Sequence, residues 1–80
     1  MKIRLLVLKN WCNKNITPLA WQRIVLRILP QLRDRGFDLY DLENPDETQY
    51  FGDTEFGYFT GALESMYGIT FPKEILEKIQ

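Results

Sequence analysis

Residues Phe51–Ile79 read FGDTEFGYFTGALESMYGITFPKEILEKI, and the rest of the chain is understood outward from them. Phe56, Phe59, Leu63, Met66 and Tyr67 recur at three- and four-residue spacing, which predicts an amphipathic helix from about Thr54 to Tyr67. Asp53 or Thr54 is placed to cap its start, and Glu55 in the first turn suits the positive end of the helix dipole. Gly68 is the expected stop, with Ile69 folding back onto the last turn. Thr70-Phe71-Pro72 then opens a short final helix, in which Ile75, Leu76 and Ile79 face inward and Phe71 packs on Ile75. Gly57 and Gly61 stand four apart on one face, each at a cost relative to alanine. Their spacing predicts close approach of another backbone at that face.

Upstream, Phe37–Asp53 (FDLYDLENPDETQYFGD) carries no helical stripe. Asn44-Pro45-Asp46-Glu47 is a turn signal. Asp38, Asp41, Glu43, Asp46, Glu47 and Asp53 occur without one basic residue among them, interleaved with Phe37, Tyr40, Tyr50 and Phe51. A loop of this length in so small a domain is either functional or held by its own apolar residues. Both readings stay open: a docking surface, or a solvated loop whose aromatic rings cap the core.

Further upstream lies the opposite wall of the core. Trp21, Ile24, Val25, Ile28, Leu29 and Leu32 form one apolar stripe, with Gln22, Arg23, Arg27 and Gln31 opposite. The pattern predicts a long helix over residues 18–35, with Thr17 as N-cap and Pro18 at the first helical position. Pro30 removes a backbone hydrogen bond to Leu26, so a kink or restart is expected there. Arg33 and Arg35 suit the negative end of the dipole, and Gly36 supplies the stop. Met1–Lys9 (MKIRLLVLK) alternates at first and then runs apolar, which suits a short strand or a leucine-rich helical turn. Trp11–Ile16 reads as a connection.

The 80 residues are 45% hydrophobic and 14% aromatic, which describes one globular domain over 1–80 rather than a disordered tail. With 26% charged residues and no long apolar run, a membrane-spanning helix is excluded and no membrane partner is expected. Leu5–Leu8 is too short for a secretory apolar region, and the lone Cys12 forms no internal disulfide. A cytoplasmic location is expected, with Cys12 as a small buried hydrophobe.

The net charge of −1 hides an asymmetry. Residues 1–36 hold eight basic side chains against Asp34, whereas residues 37–80 hold ten carboxylates against Lys73 and Lys78. Either the two halves neutralise each other at a seam, or each faces a charged partner.

Catalytic chemistry is hard to build here. There is no histidine, Ser65 is the one serine and lies mid-helix, and the glycines lack phosphate-loop spacing. No catalytic residue, cofactor or metal ligand set is expected, and the chain reads as a non-enzyme. Nucleic-acid binding by the basic helix 18–35, through Arg23 and Arg27 with Lys14 nearby, is the second function class. The first is protein binding through Asp41, Glu43, Asp46, Glu47, Tyr50, Asp53 and Glu55, whose carboxylates would steer a basic partner while aromatics supply contact area. An inhibitor or immunity-type antagonist of a nucleic-acid-handling protein is one version.

Ala62–Ile75 (ALESMYGITFPKEI), with Phe51-Gly52-Asp53-Thr54 upstream, resembles the second half of an acyl carrier protein domain. The likeness spans residues 37–80 and takes in the family's recognition helix, its glycine exit and the hydrophobic-proline start of the next short helix. It is similar to bacterial carrier-like proteins that lack the modified serine, since Asp53 stands where carriers bear phosphopantetheine. It implies a carrier-like helical fold in which the acidic helix Glu55–Tyr67 docks on basic partners. The alternative function it implies is an acyl-carrier-like protein. The expected fold is mainly α, a small helical bundle with an N-terminal strand or extended arm, the alternative being α+β.

Overall fold

A computed structural model describes residues 2–79, with side chains through Leu76. The chain is mainly helical, with a small two-stranded antiparallel sheet near its N-terminus. The elements run β1 (Ile3–Arg4), α1 (Leu5–Asn15), α2 (Ala20–Arg33), α3 (Leu39–Glu43), β2 (Tyr50–Phe51), α4 (Asp53–Tyr67) and α5 (Lys73–Ile79). Strand β1 pairs with β2 in the register Ile3 opposite Phe51 and Arg4 opposite Tyr50. Helix α2 is central and packs on α4, α3 and α1.

Helix α2 follows from its stripe. All six apolar residues predicted to face inward are buried, as is Ala20. Burying such side chains stabilises by roughly 1.5–3 kcal/mol each, which outweighs the cost of proline in the helix. The helix passes Pro30 without a restart. Leu26 and Pro30 are both exposed, so the Leu26 carbonyl that loses its helical amide remains on the wet side, where water can replace it. The start is two residues later than expected. Thr17 accepts the Ala20 amide through its carbonyl at 3.1 Å, so Thr17-Pro18 makes a turn leading into the helix rather than its cap.

The N-terminal expectation needs the larger correction. Strand β1 is two residues long, and α1 takes in Trp11–Asn15 in place of the expected connection. Leu5, Leu8 and Cys12 form its buried stripe. Leu5 is the junction: its amide donates to the Gln49 carbonyl at 3.0 Å, which completes the sheet while its side chain begins the helical stripe.

Helix α3 lies within the stretch expected to be a loop. Asp38 caps it by accepting the Asp41 amide at 2.8 Å, and Leu42 is its buried residue. Helix α4 has nearly the expected length, but Gly52 is its N-cap rather than Asp53 or Thr54. Glu55 reaches back to accept the Gly52 amide at 2.7 Å. Both expected glycine stops hold, with φ of 92° at Gly36 and 66° at Gly68. Gly57 and Gly61 are exposed, and a Cβ at either would meet nothing within 4 Å. No backbone approaches that face among the described residues, contrary to the expectation.

The core is threaded by aromatic rings. Phe71 lies 4.8 Å from Trp11, 5.6 Å from Phe56 and 5.9 Å from Phe59, centre to centre. Phe59 meets Trp21, Trp21 meets Phe51, and Phe51 meets Phe37. Ring pairs at these separations add to the gain from burial. Phe71 therefore anchors the segment before α5 against α1 and α4. Ile75 and Leu76 pack partly on the core, while the expected inward side chain of Ile79 lies outside the described residues.

Candidate functional site

The acidic stretch is divided by folding according to ring chemistry. Phe51 is buried, Phe37 and Phe56 are half-buried against the core, and both tyrosines stay outside. Tyr40 is 73% exposed on α3, and Tyr50 is exposed on β2. A phenol oxygen left in water needs no internal partner, whereas a bare phenyl ring gains by burial.

Helix α3 is short for its own stability and is held from its inner side. The Trp21 indole Nε1 donates to the Leu42 carbonyl at 2.6 Å, and Lys9 Nζ donates to the Glu43 carbonyl at 2.9 Å. Carbonyls at a helix C-terminus have no intrahelical donors, and these two side chains supply them. Tyr40, Asp41 and Glu43 therefore sit on a fixed platform, Tyr40 exposed and the two acids half-buried. Beneath it lies a hollow of about 240 Å³ lined by Lys9, Asn13, Trp21, Gln22, Glu43 and Asn44.

The following turn is ordered by Asp46. Its carboxylate accepts the Thr48 hydroxyl at 2.5 Å and the Thr48 amide at 2.7 Å, and its own amide donates to Gln49 Oε1 at 3.1 Å. The Thr48 hydroxyl first, and then the Thr48 amide, hold the Asp46 carboxyl below the usual carboxylate range. Asp46 and Glu47 are both exposed.

Tyr50 does not stand among acids. The Lys2 ammonium and the Arg4 guanidinium each lie 6.0 Å from the centre of its ring, because the sheet pairs the basic first strand with the acidic stretch. Asp53 is exposed at the first position of α4.

Glu55 leaves the predicted surface altogether. Its side chain is 11% exposed and forms an ion pair with Arg35 Nε, while its other oxygen accepts the Gly52 amide. It is a structural carboxylate that ties the start of α4 to the end of α2. A local reading sees only an acid in a first turn; the arginine twenty positions upstream, beside the Gly36 stop, was the available signal. Tyr40 joins the surface although it is not among the expected site residues, its signal being a tyrosine between Asp38 and Asp41, and the approach of Lys2 and Arg4 to Tyr50 has no local signal.

Cys12 is buried, and burial pushes its thiol up to about 12, so it is no nucleophile at neutral pH. Among the described residues no group of three or more His, Cys, Asp or Glu side chains could hold a metal ion. No described helix is long and apolar enough to cross a membrane. The sequence matches no family model, no curated protein and no solved structure.

Proposed function

We propose that this chain is a non-catalytic protein-binding module that docks on a basic partner through Tyr40, Asp41, Glu43, Asp46 and Glu47. One observation carries the reading: a tyrosine 73% exposed, on a helix whose backbone is fastened from below by Trp21 and Lys9. Tyrosine offers a large contact area with few rotors to freeze, and a platform ordered in advance reduces the entropy lost on binding. The carboxylates around it favour a basic protein and speed its approach. An inhibitor or immunity-type antagonist working in a reducing, cytoplasmic compartment fits this chemistry, since an acidic, aromatic surface imitates a phosphate backbone. A carrier-like origin of α4 is compatible with the same recognition mode, with Asp53 in place of the modified serine.

The test is a pull-down with tagged protein at low and moderate salt, comparing wild type with Tyr40→Ser and with Asp46→Asn combined with Glu47→Gln. One basic protein, released by salt and lost in both variants, is the expected result. Retention of the same protein by both variants would remove the surface from consideration.

A further inference from the structure

The face of α2 turned away from the core has an unusual composition for a solvated helix. Leu19 at the N-cap and Arg23, Leu26 and Pro30 within the helix follow four and three apart, which aligns them in one seam opposite the buried stripe. Leu19 is 54% exposed and Leu26 48% exposed, and Arg23, Arg27 and Arg33 are exposed along the same side. None of these three arginines has an ion-pair partner among the described residues. At its N-terminal end the seam opens into a hollow of about 330 Å³ lined by Thr17, Pro18, Leu19, Arg23 and Tyr67. The Tyr67 hydroxyl is sealed from solvent and has no hydrogen-bond partner.

We propose that this seam is a docking site for an acidic amphipathic helix of a partner protein. Leu19, Leu26 and Pro30, spaced seven and four apart with Arg23 between them, offer apolar contact to a second helix, and a polar side chain of that helix takes the place of water at the Leu26 carbonyl. Arg23 within the seam, and Arg27 and Arg33 at its flanks, then meet carboxylates of the incoming helix. The hollow takes an apolar side chain from the end of that helix.

A second copy of this chain meeting the seam through the same face does not fit it. Two α2 faces would set Arg23, Arg27 and Arg33 of one against the same residues of the other, and like charges in an interface are costly. A nucleic-acid backbone fits less well, because Leu19, Leu26 and Pro30 share the centre of the face with Arg23 and leave few donors there for phosphates. The inference is independent of the Tyr40 surface.

The experiment measures fluorescence anisotropy of a labelled synthetic helix with leucine on its seam and glutamate at its flanks, titrated with the intact protein. A sister peptide carries lysine in place of glutamate. Wild type should bind the glutamate peptide at least about tenfold more tightly than the lysine peptide, and Leu26→Asp should weaken binding by about tenfold or more. Arg23→Glu combined with Arg27→Glu should reverse the preference between the peptides. Both changes are at exposed positions, and an unchanged melting temperature establishes that the fold survives. Tyr40→Ser should leave peptide binding unchanged, so failure here is distinct from failure of the acidic surface. Equal binding of both peptides by wild type, or undiminished binding by Leu26→Asp, would overturn the proposal. So would an oligonucleotide that displaces the peptide and binds wild type and Leu26→Asp alike, or self-association that Leu26→Asp abolishes.

Discussion

The Trp21 indole donates its N–H to the Leu42 carbonyl at 2.6 Å, and the bond is buried. It joins the middle of the core to the last turn of α3, so one side chain both packs the interior and positions the exposed Tyr40.

Trp21→Phe keeps an aromatic ring but removes the donor. The Leu42 carbonyl is then left buried without its partner, at a cost of about 1–3 kcal/mol, with a further loss from the smaller ring. Urea denaturation reads the stability. Hydrogen exchange reads the local effect: the amides of Leu42 and Asn44, which donate to Asp38 and Tyr40, should exchange faster than those of α4. Unaltered exchange in α3 would mean that the bond is no anchor.

Glu55 and Arg35 should respond unequally to truncation. Glu55→Ala strands the Gly52 amide and the Arg35 guanidinium together, so a loss of roughly 1–3 kcal/mol is expected. Arg35 is 44% exposed. Arg35→Ala leaves the buried carboxylate without its counter-charge but still bonded to the Gly52 amide, so it should cost less than Glu55→Ala. A double-mutant cycle measures their coupling directly. If Arg35→Ala proves as damaging as Glu55→Ala, the carboxylate acts mainly through the arginine and its bond to Gly52 is secondary.

The legible parts of this fold are those with one period and a local stop. Helix α2 shows its six buried residues plainly, and α4 ends where a glycine takes a left-handed φ. Helix α1 was hidden because Leu5 belongs to two patterns at once. With Ile3 it continues the two-residue period of a strand, and with Leu8 and Cys12 it opens a helical one. Helix α3 was hidden for another reason: its stability comes from Trp21 and Lys9, side chains distant in sequence. The same non-locality explains the site. The carboxylate-rich stretch could be read from composition, but the inward turn of Glu55 depends on Arg35, and the company of Tyr50 depends on strand pairing with Arg4.

Cys12 gives a pH dependence with a definite sign. Burial raises its folded thiol from the usual 9.0 to about 12, so between those values the folded state holds a proton that the unfolded chain releases. The contribution is complete below pH 9.0 and is lost as pH rises toward about 12, by as much as ~1.4 kcal/mol per pH unit. Cys12→Ala should lower stability at neutral pH through the lost packing, yet flatten its decline above pH 9.0. Iodoacetamide should leave the native thiol unmodified at neutral pH and react once the chain is unfolded. Rapid alkylation of the folded protein would contradict the buried placement.

Gly57 and Gly61 stand where an added methyl group should stabilise the helix. Each lies inside α4, is exposed, and has open space where a Cβ would stand. Alanine at either position should fit without a clash and reduce the freedom of the unfolded chain. Each substitution should then stabilise by roughly 0.5–1 kcal/mol. The double variant should melt several degrees higher, since about 1 kcal/mol moves the midpoint of a domain this size by roughly 4–8 °C. Thermal denaturation followed by circular dichroism is the measurement. A lower midpoint would mean that the helix needs glycine for its own packing. A raised midpoint would show that both glycines are dispensable to the isolated fold.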